Sequence, residues 1–281
     1  MGAERVITMP SRKNNTIYEN WKVYSKHGKL MFRCNAKKAQ WYLKRQLAVT
    51  KEDNHSIQLT FEAKGNGHRE NDYLIEDRKN VCVACGSDQQ LTLHHVVPEM
   101  YRRWMPLVIK SKSSRDILPL CKICHNLYED EAMKLKKHYV KHYEIPLEGK
   151  GWISKPKNRY ARKAATALLR CSDKIPADRQ QVLKQAVIDF SAEQEDWRDL
   201  SFEEKLERCS ELTDLFQGPD FVEHGEYVIG QLMLQKVIID SKERWPDLER
   251  FIKEWRQHFL DHLKPKHLSP RWTVDSDIYT N

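Results

Sequence analysis

The chain has 281 residues, of which 40% are hydrophobic and 31% charged. That is apolar enough for a real core and, at roughly 150 residues per domain, long enough for about two domains. Lys plus Arg outnumber Asp plus Glu by 48 to 40, and no apolar run approaches the roughly 20 residues that a membrane-spanning helix needs.

The charge is unevenly spread. Residues 1–99 carry 16 basic and 11 acidic side chains, residues 100–170 carry 17 and 6, and residues 171–281 carry 15 and 23. The middle of the chain therefore attracts polyanions, while the C-terminal third repels them. Residues 1–14 are polar and basic and are expected to be a flexible terminus, neither a secretory signal nor a myristoylation site.

Residues 15–79 are expected to form a small α+β unit. Loose alternation from Tyr18 to Arg33 about His27-Gly28 predicts a hairpin. Ala36–Leu47 reads as a helix capped by Asn35, and Ser56–Glu62 alternates as a strand. Residues 80–145 hold two Cys-x-x-Cys pairs and a His-His pair, and end in a helix expected over Cys124–His142. Residues 146–158 read as a basic linker. Residues 159–263 read as a helical bundle, with helices near 159–171, 177–191, 202–216, 221–242 and 247–262. Ser201 and Glu204 form a capping box, and Pro246 sits at a first helical position. Residues 264–281 read as an irregular tail. The fold class is α+β.

The seven cysteines are odd in number, and four of them form the pairs Cys82/Cys85 and Cys121/Cys124, separated by 35 residues. Two residues between paired thiolates let one knuckle present both sulfurs to one ion, and two knuckles complete a closed, structural zinc site. A redox Cys-x-x-Cys is the alternative, but no βαβ pattern surrounds it. A fully ligated zinc leaves the nearby His94, His95 and His125 to be explained. His138 and His142, four residues apart, read as a solvated helix face.

The order Val81-Cys-Val-Ala-Cys85, Leu93-His-His-Val-Val-Pro98 and Asp116-Ile-Leu-Pro-Leu-Cys-Lys-Ile-Cys-His125 resembles the HNH, or ββα-metal, nucleases. Lys37–Leu43, Pro98–Arg103 and Trp255–Asp261 with Pro265–Leu268 widen the resemblance. Residues 16 to about 275 are similar to the region beyond the exonuclease domain in the exonuclease-3′-5′-domain-containing protein 2 family. The paired-acid exonuclease signature itself is not in the sequence.

The resemblance implies that His95 is the general base and that His94 and His125 ligate a catalytic divalent metal: Mg, Mn or Zn. Asp116 stands where the HNH pattern has its middle Asn. An ionised Asp only accepts hydrogen bonds, so it would either bind metal or weaken the geometry of the base.

Arg102, Arg103, Lys110, Lys112, Arg115, Lys134, Lys137, Lys155, Lys157 and Arg159 are expected to grip DNA or RNA, with Tyr101 and Trp104 either stacking on bases or packing. The C-terminal apolar stripes Val228, Leu232, Leu234, Val237 and Ile238, and Phe251, Trp255, Phe259 and Leu263, read as core. The alternative is a docking face for a second copy or an exonuclease-domain partner. Three functions follow: a metal-dependent nuclease, a nucleic-acid-binding accessory of little or no turnover, and an interaction protein. A nuclear or cytoplasmic setting fits the free thiols, and the resemblance leaves a mitochondrial one open.

Overall fold

The computed structural model describes residues 16–63, 67–68 and 72–279; the expected flexible terminus lies outside them. The fold is α+β, as the sequence suggests. No helix among the described residues is long and apolar enough to cross a membrane.

The hairpin, helix and strand expected near the start are present. Strand β1 (Trp21–Tyr24) turns at Gly28, whose φ of +84° suits glycine, into β2 (Leu30–Cys34). Helix α1 (Ala36–Lys44) begins at Asn35, whose Oδ1 accepts from the Lys38 amide at 2.8 Å. Strands β3 (Ala48–Thr50) and β4 (Ser56–Leu59) complete a sheet in the order β2-β1-β4-β3, with β1 and β4 parallel. Val23, Ala39, Ala48, Ile57 and Leu59 form the core of this unit under α1.

Strand β5 (Leu91–His95) pairs antiparallel with β6 (Ile117–Cys121), Leu91 opposite Cys121 and His95 opposite Ile117. The insertion between them folds into two short helices, α2 (Glu99–Arg102) and α3 (Leu107–Lys110). Strand β6 then runs without a loop into α4 (Lys122–Tyr143), with Cys121 as the N-cap.

Residues 146–158 are not a linker. Lys150–Ser154 is strand β7, and Pro156 opens helix α5 (Pro156–Cys171). Helices α6 (Ala177–Ala192) and α7 (Phe202–Ser210) follow, α7 with the expected Ser201/Glu204 capping box. The predicted helix 202–216 stops at Ser210. Its remainder enters strand β8 (Leu215–Val222), where Gly218 and Pro219 exclude a helix, and β8 pairs antiparallel with β7.

Residues 221–242 also divide. Helix α8 (His224–Leu232) ends early, and Val237–Ile239 and Lys242–Arg244 form strands β9 and β10. Asp240 and Ser241 have φ of +49° and +60°, the left-handed pair of a tight hairpin turn. The β-branched run Val237-Ile238-Ile239 drives this outcome, and the apolar spacing imitated a helix. Accordingly Val228 and Leu232 are buried, but Leu234, Val237 and Ile238 are exposed. Helix α9 (Pro246–Leu263) has Pro246 in its first turn, as expected.

The chain divides into two compact units, Glu148–His224 and the remainder. The stretch 159–263 is therefore not one helical domain: α9 belongs with the N-terminal half. In the Glu148–His224 unit, Ala161, Ala164 and Ala165 let α5 lie close to α6 and α7 around Leu183, Val187, Phe190 and Leu206. In the other unit, the buried face of α9 (Leu248, Phe251, Ile252, Trp255, Arg256, Phe259) has helical period and packs on α4. Ring contacts run from Tyr139 to Phe251 at 5.1 Å and from Tyr128 to Phe259 at 5.2 Å.

The segment after α9 is irregular but tied down. The His267 amide donates to the Val83 carbonyl at 2.8 Å, and the Trp272 indole donates to the Arg115 carbonyl at 3.1 Å.

Asp116 takes part in this closure. Its carboxylate accepts from Arg256 Nε at 3.0 Å and Nη2 at 2.9 Å, and both residues are buried. Removing one partner of such a pair strands a charge in the interior, at a cost of about 3–5 kcal/mol. Asp116→Asn, which restores the residue of the HNH pattern, should therefore lower stability in urea melts. Asp116→Asn combined with Arg256→Met should recover part of the loss, and a neutral single variant would show that the pair is not held.

Candidate metal centre

The first candidate is the four-cysteine cluster. All four cysteines are free thiols, and the sulfurs of Cys82, Cys85, Cys121 and Cys124 lie within 4.8 Å of one another. Cys85 and Cys121 are 3.8 Å apart. That is far beyond the roughly 2.05 Å of a disulfide. It matches the roughly 3.8 Å edge of a tetrahedron whose sulfurs sit about 2.3 Å from an ion.

The first knuckle is shaped by Cys82, which accepts from the Gly86 amide at 2.9 Å and donates to the Ser87 carbonyl at 2.8 Å through its own backbone groups. Gly86 has φ of +81°, and a Cβ there would meet His267 at 2.6 Å, so only glycine fits between knuckle and tail. The second knuckle is the β6–α4 junction, where Cys121 Sγ accepts from the Cys124 amide at 3.5 Å. Burial pushes the Cys82 and Cys124 thiols up, while the Ser87 amide holds Cys85 below its ordinary value. Two cysteines resist ionisation in this pocket, and a bound cation is what reverses that preference. The cluster can hold a metal ion.

The second cluster brings together His94, His125 and Glu129. His94 lies on β5, with His125 and Glu129 one turn apart on α4. His94 Nδ1 and His125 Nε2 are 3.0 Å apart, and each is near Glu129 Oε1, at 3.6 and 3.7 Å. Donors held about 2.1 Å from a common ion would be spaced by roughly 3.0–3.4 Å, close to what is found.

The donor atoms are prepared for such use. The Thr92 hydroxyl donates to the Leu120 carbonyl at 2.8 Å and faces His125 Nδ1 at 2.7 Å. With its proton so committed, Thr92 can only accept from Nδ1–H, which leaves the lone pair of His125 on Nε2. Lys136 Nζ meets Glu129 Oε2 at 3.2 Å, leaving Oε1 toward the histidines. The adjacent His125, with the Lys136 ammonium, holds the Glu129 carboxyl down at about 2. Burial pushes His94 down to about 3, so this ring is neutral. His94 stacks on Phe259 at 5.7 Å, and its buried Nε2 has no hydrogen-bond partner among the described residues, so the polar use of the ring lies at Nδ1.

The remaining expected site residues fall in varied places. His95 is next to His94 and so on the opposite side of β5, outside the three-donor set. Its side chain is 33% exposed, with Nε2 3.7 Å from Glu99 Oε2, and burial lowers it below the usual histidine value. Arg102 braces Glu99 at 2.9 Å. Asp116 is no metal ligand, because Arg256 takes its carboxylate.

Arg115 is buried against Asp72 at 3.0 Å and cannot reach a polyanion. Lys112 is nearly buried beside Asp277. Lys110 Nζ donates to the Arg103 carbonyl, and Lys134 pairs with Glu131. Arg102, Arg103, Lys134 and Lys137 remain at least partly accessible. Lys155, Lys157 and Arg159 belong to the Glu148–His224 unit. Tyr101 is buried and packs, whereas Trp104 is partly exposed. Glu129 escaped the sequence reading, although its His125-x-x-x-Glu129 spacing was there to be seen.

The chain is homologous to known proteins. It is 30% identical over 269 residues to Exonuclease 3'-5' domain-containing protein 2 of Homo sapiens, a match that covers 94% of this chain and 41% of that protein. The protein of that name from Drosophila melanogaster is 27% identical over 94% of the chain and 44% of its own length. Protein RRP6-like 3 of Arabidopsis thaliana is 33% identical over 69% of the chain and 24% of its own length. The chain thus spans well under half the length of these relatives. No family model matches it, and no solved structure matches it significantly.

An ion held by all four thiols would tie the two knuckles together and couple metal binding to folding. Cys82→Ser should lose one equivalent of bound metal by elemental analysis and unfold at lower urea. Unchanged metal content would remove the site.

Proposed function

We propose that this chain is a metal-dependent nuclease of the HNH type, hydrolysing phosphodiester bonds in DNA or RNA, with the four-thiol cluster holding a structural zinc. The observation that carries the reading is the convergence of His94 Nδ1, His125 Nε2 and Glu129 Oε1 on one point, with His95 the next residue along β5. The ββα order of β5, β6 and α4 supports it. The names of the relatives, which refer to an exonuclease domain, add weight to a nucleic-acid substrate.

His94, His125 and Glu129 would hold a divalent cation. When bound, that cation supplies Lewis-acid stabilisation of charge developing on a phosphoryl oxygen. His95 does the proton chemistry. Kept neutral by burial, its ring takes a proton from the water that attacks phosphorus, while the bond to the leaving 3′ oxygen breaks and that oxygen takes a proton from solvent water. Glu99, itself held by Arg102, orients the imidazole from its far side. Thr92 fixes the tautomer of His125, and Lys136 aims Glu129. Cleavage leaves a 5′ phosphate and a 3′ hydroxyl.

One observation favours a second reading, a nucleic-acid-binding module of little turnover. The Asp116 carboxylate points to Arg256, so no side-chain amide braces the segment bearing His95.

Labelled RNA and DNA incubated with each divalent metal, or with chelator, separates the two readings. Metal-dependent cleavage that falls at least about a hundredfold in His95→Ala is expected. Undiminished cleavage in that variant, or in chelator, overturns the nuclease; binding without cleavage by the wild type establishes the second reading. Thr92→Val should weaken divalent-metal binding at the histidine site by about 10–100-fold in calorimetry, and Thr92→Ser should retain it. Equal affinity in Thr92→Val would show that the hydroxyl does not orient His125.

A further inference from the structure

The two-stranded ribbon of β7 and β8 in the Glu148–His224 unit has a surface that water alone does not explain. Every residue of β7 is exposed, and β8 is exposed over most of its length. Yet the ribbon carries Trp152, Ile153, Leu215 and Phe216, with Trp152 39% and Phe216 36% exposed. None of these four belongs to the buried core of the α5–α7 helices.

The register sets their directions. Ile153 lies opposite Phe216, so both point to one face, and Lys155, two residues on, shares it. Lys155 Nζ sits 4.5 Å over the Phe216 ring. Trp152 points to the other face. There it meets Phe221 edge-on at 4.7 Å, and its indole N–H donates to the Glu148 carbonyl at 3.1 Å, which sets the plane of the ring.

Charge is segregated onto the same segment. From Lys150 to Arg170 there are seven cations and no acid. Asp214 pairs with Arg159 and Arg162, and Glu193 pairs with Lys157, but Lys155 and Lys163 add to a positive excess along β7 and the start of α5. A protein partner with an apolar face would match the aromatic rings and leave these cations uncompensated. A polyanion with flat apolar groups matches both.

We propose that the Phe216 face of the β7–β8 ribbon is a binding platform for single-stranded nucleic acid, Phe216 stacking on an unpaired base while Lys155 and its neighbours meet the phosphates. Stacking of this kind needs bases out of a duplex, which sets the strandedness. The inference rests on the proposed reading for its choice of substrate class.

The test uses the full chain with His95→Ala and no added divalent ion, so that the strand survives, and a fluorescently labelled single strand of about 20 nucleotides, a length that spans the 4–16 nucleotide sites of known single-strand folds. Phe216→Ala should weaken binding at least about fivefold by anisotropy. Lys155→Glu should weaken it and flatten its salt dependence, while Phe216→Trp and Lys155→Arg should bind as the parent does. Circular dichroism confirms that each variant is folded. Affinities within twofold of the parent overturn the platform, as does a parent that binds no strand, or variants that dissociate a dimer in sedimentation without affecting strand binding.

Hydrolysis of bis-p-nitrophenyl phosphate, a diester too small to need the ribbon, separates the two proposals. A wild type inert toward it, with ribbon-dependent strand binding, removes the nuclease and leaves the platform. A wild type that hydrolyses it, with ribbon variants of unchanged strand affinity, does the reverse.

Discussion

The candidate site depends on the absence of a loop between β6 and α4. Cys121 is both the last residue of the strand and the cap of the helix, Cys124 follows within the first turn, and His125 is its immediate neighbour. A helix begun at a cysteine knuckle has little freedom to rotate. The direction of His125 is therefore set by the same backbone that gathers the thiols. Thr92 reinforces this from β5, because its hydroxyl bridges Leu120, just before the knuckle, to the His125 ring. Metal at the cysteines would stiffen a site at which it does no chemistry.

Around this junction the first unit is closed by its own distant C-terminal part. Helix α9 lies on α4, its Phe259 stacks on His94, and the tail beyond it hydrogen-bonds to the first knuckle. Arg256 reaches from α9 to Asp116 at the start of β6. A residue at a position associated with catalysis is thereby used to hold the closure. The same substitution looks like a defect when compared with a motif and like a necessity when the partner helix is in view.

The second unit is built on a different plan. Three helices pack through alanines, and a two-stranded ribbon is left with apolar side chains in water. Acidic side chains gather between α6 and α7, at Glu193, Glu195, Asp196 and Asp199, and basic ones on β7 and α5, so an overall count of charge conceals an uneven distribution. The reading that the C-terminal third repels polyanions took no account of a ribbon lying partly in the basic middle.

The sequence by itself determined what depends on neighbours along the chain. The Asn35 and Ser201 caps, Pro246 at a helix start, the two thiol pairs and the ββα order all rest on spacings of a few residues, and local sterics and hydrogen bonding decide them. Tertiary structure decided what depends on residues far apart. Arg256 is 140 positions from Asp116, and no local pattern announces that the two will meet. Arg115 counted as a surface cation until Asp72 buried it. Leu234 and Ile238 matched a helical stripe, but a β-branched run with a left-handed turn became a hairpin instead. Glu129 became a candidate ligand only when β5 brought His94 to its turn of α4. Local spacing shows which groups are available, whereas packing sets the partner each one meets.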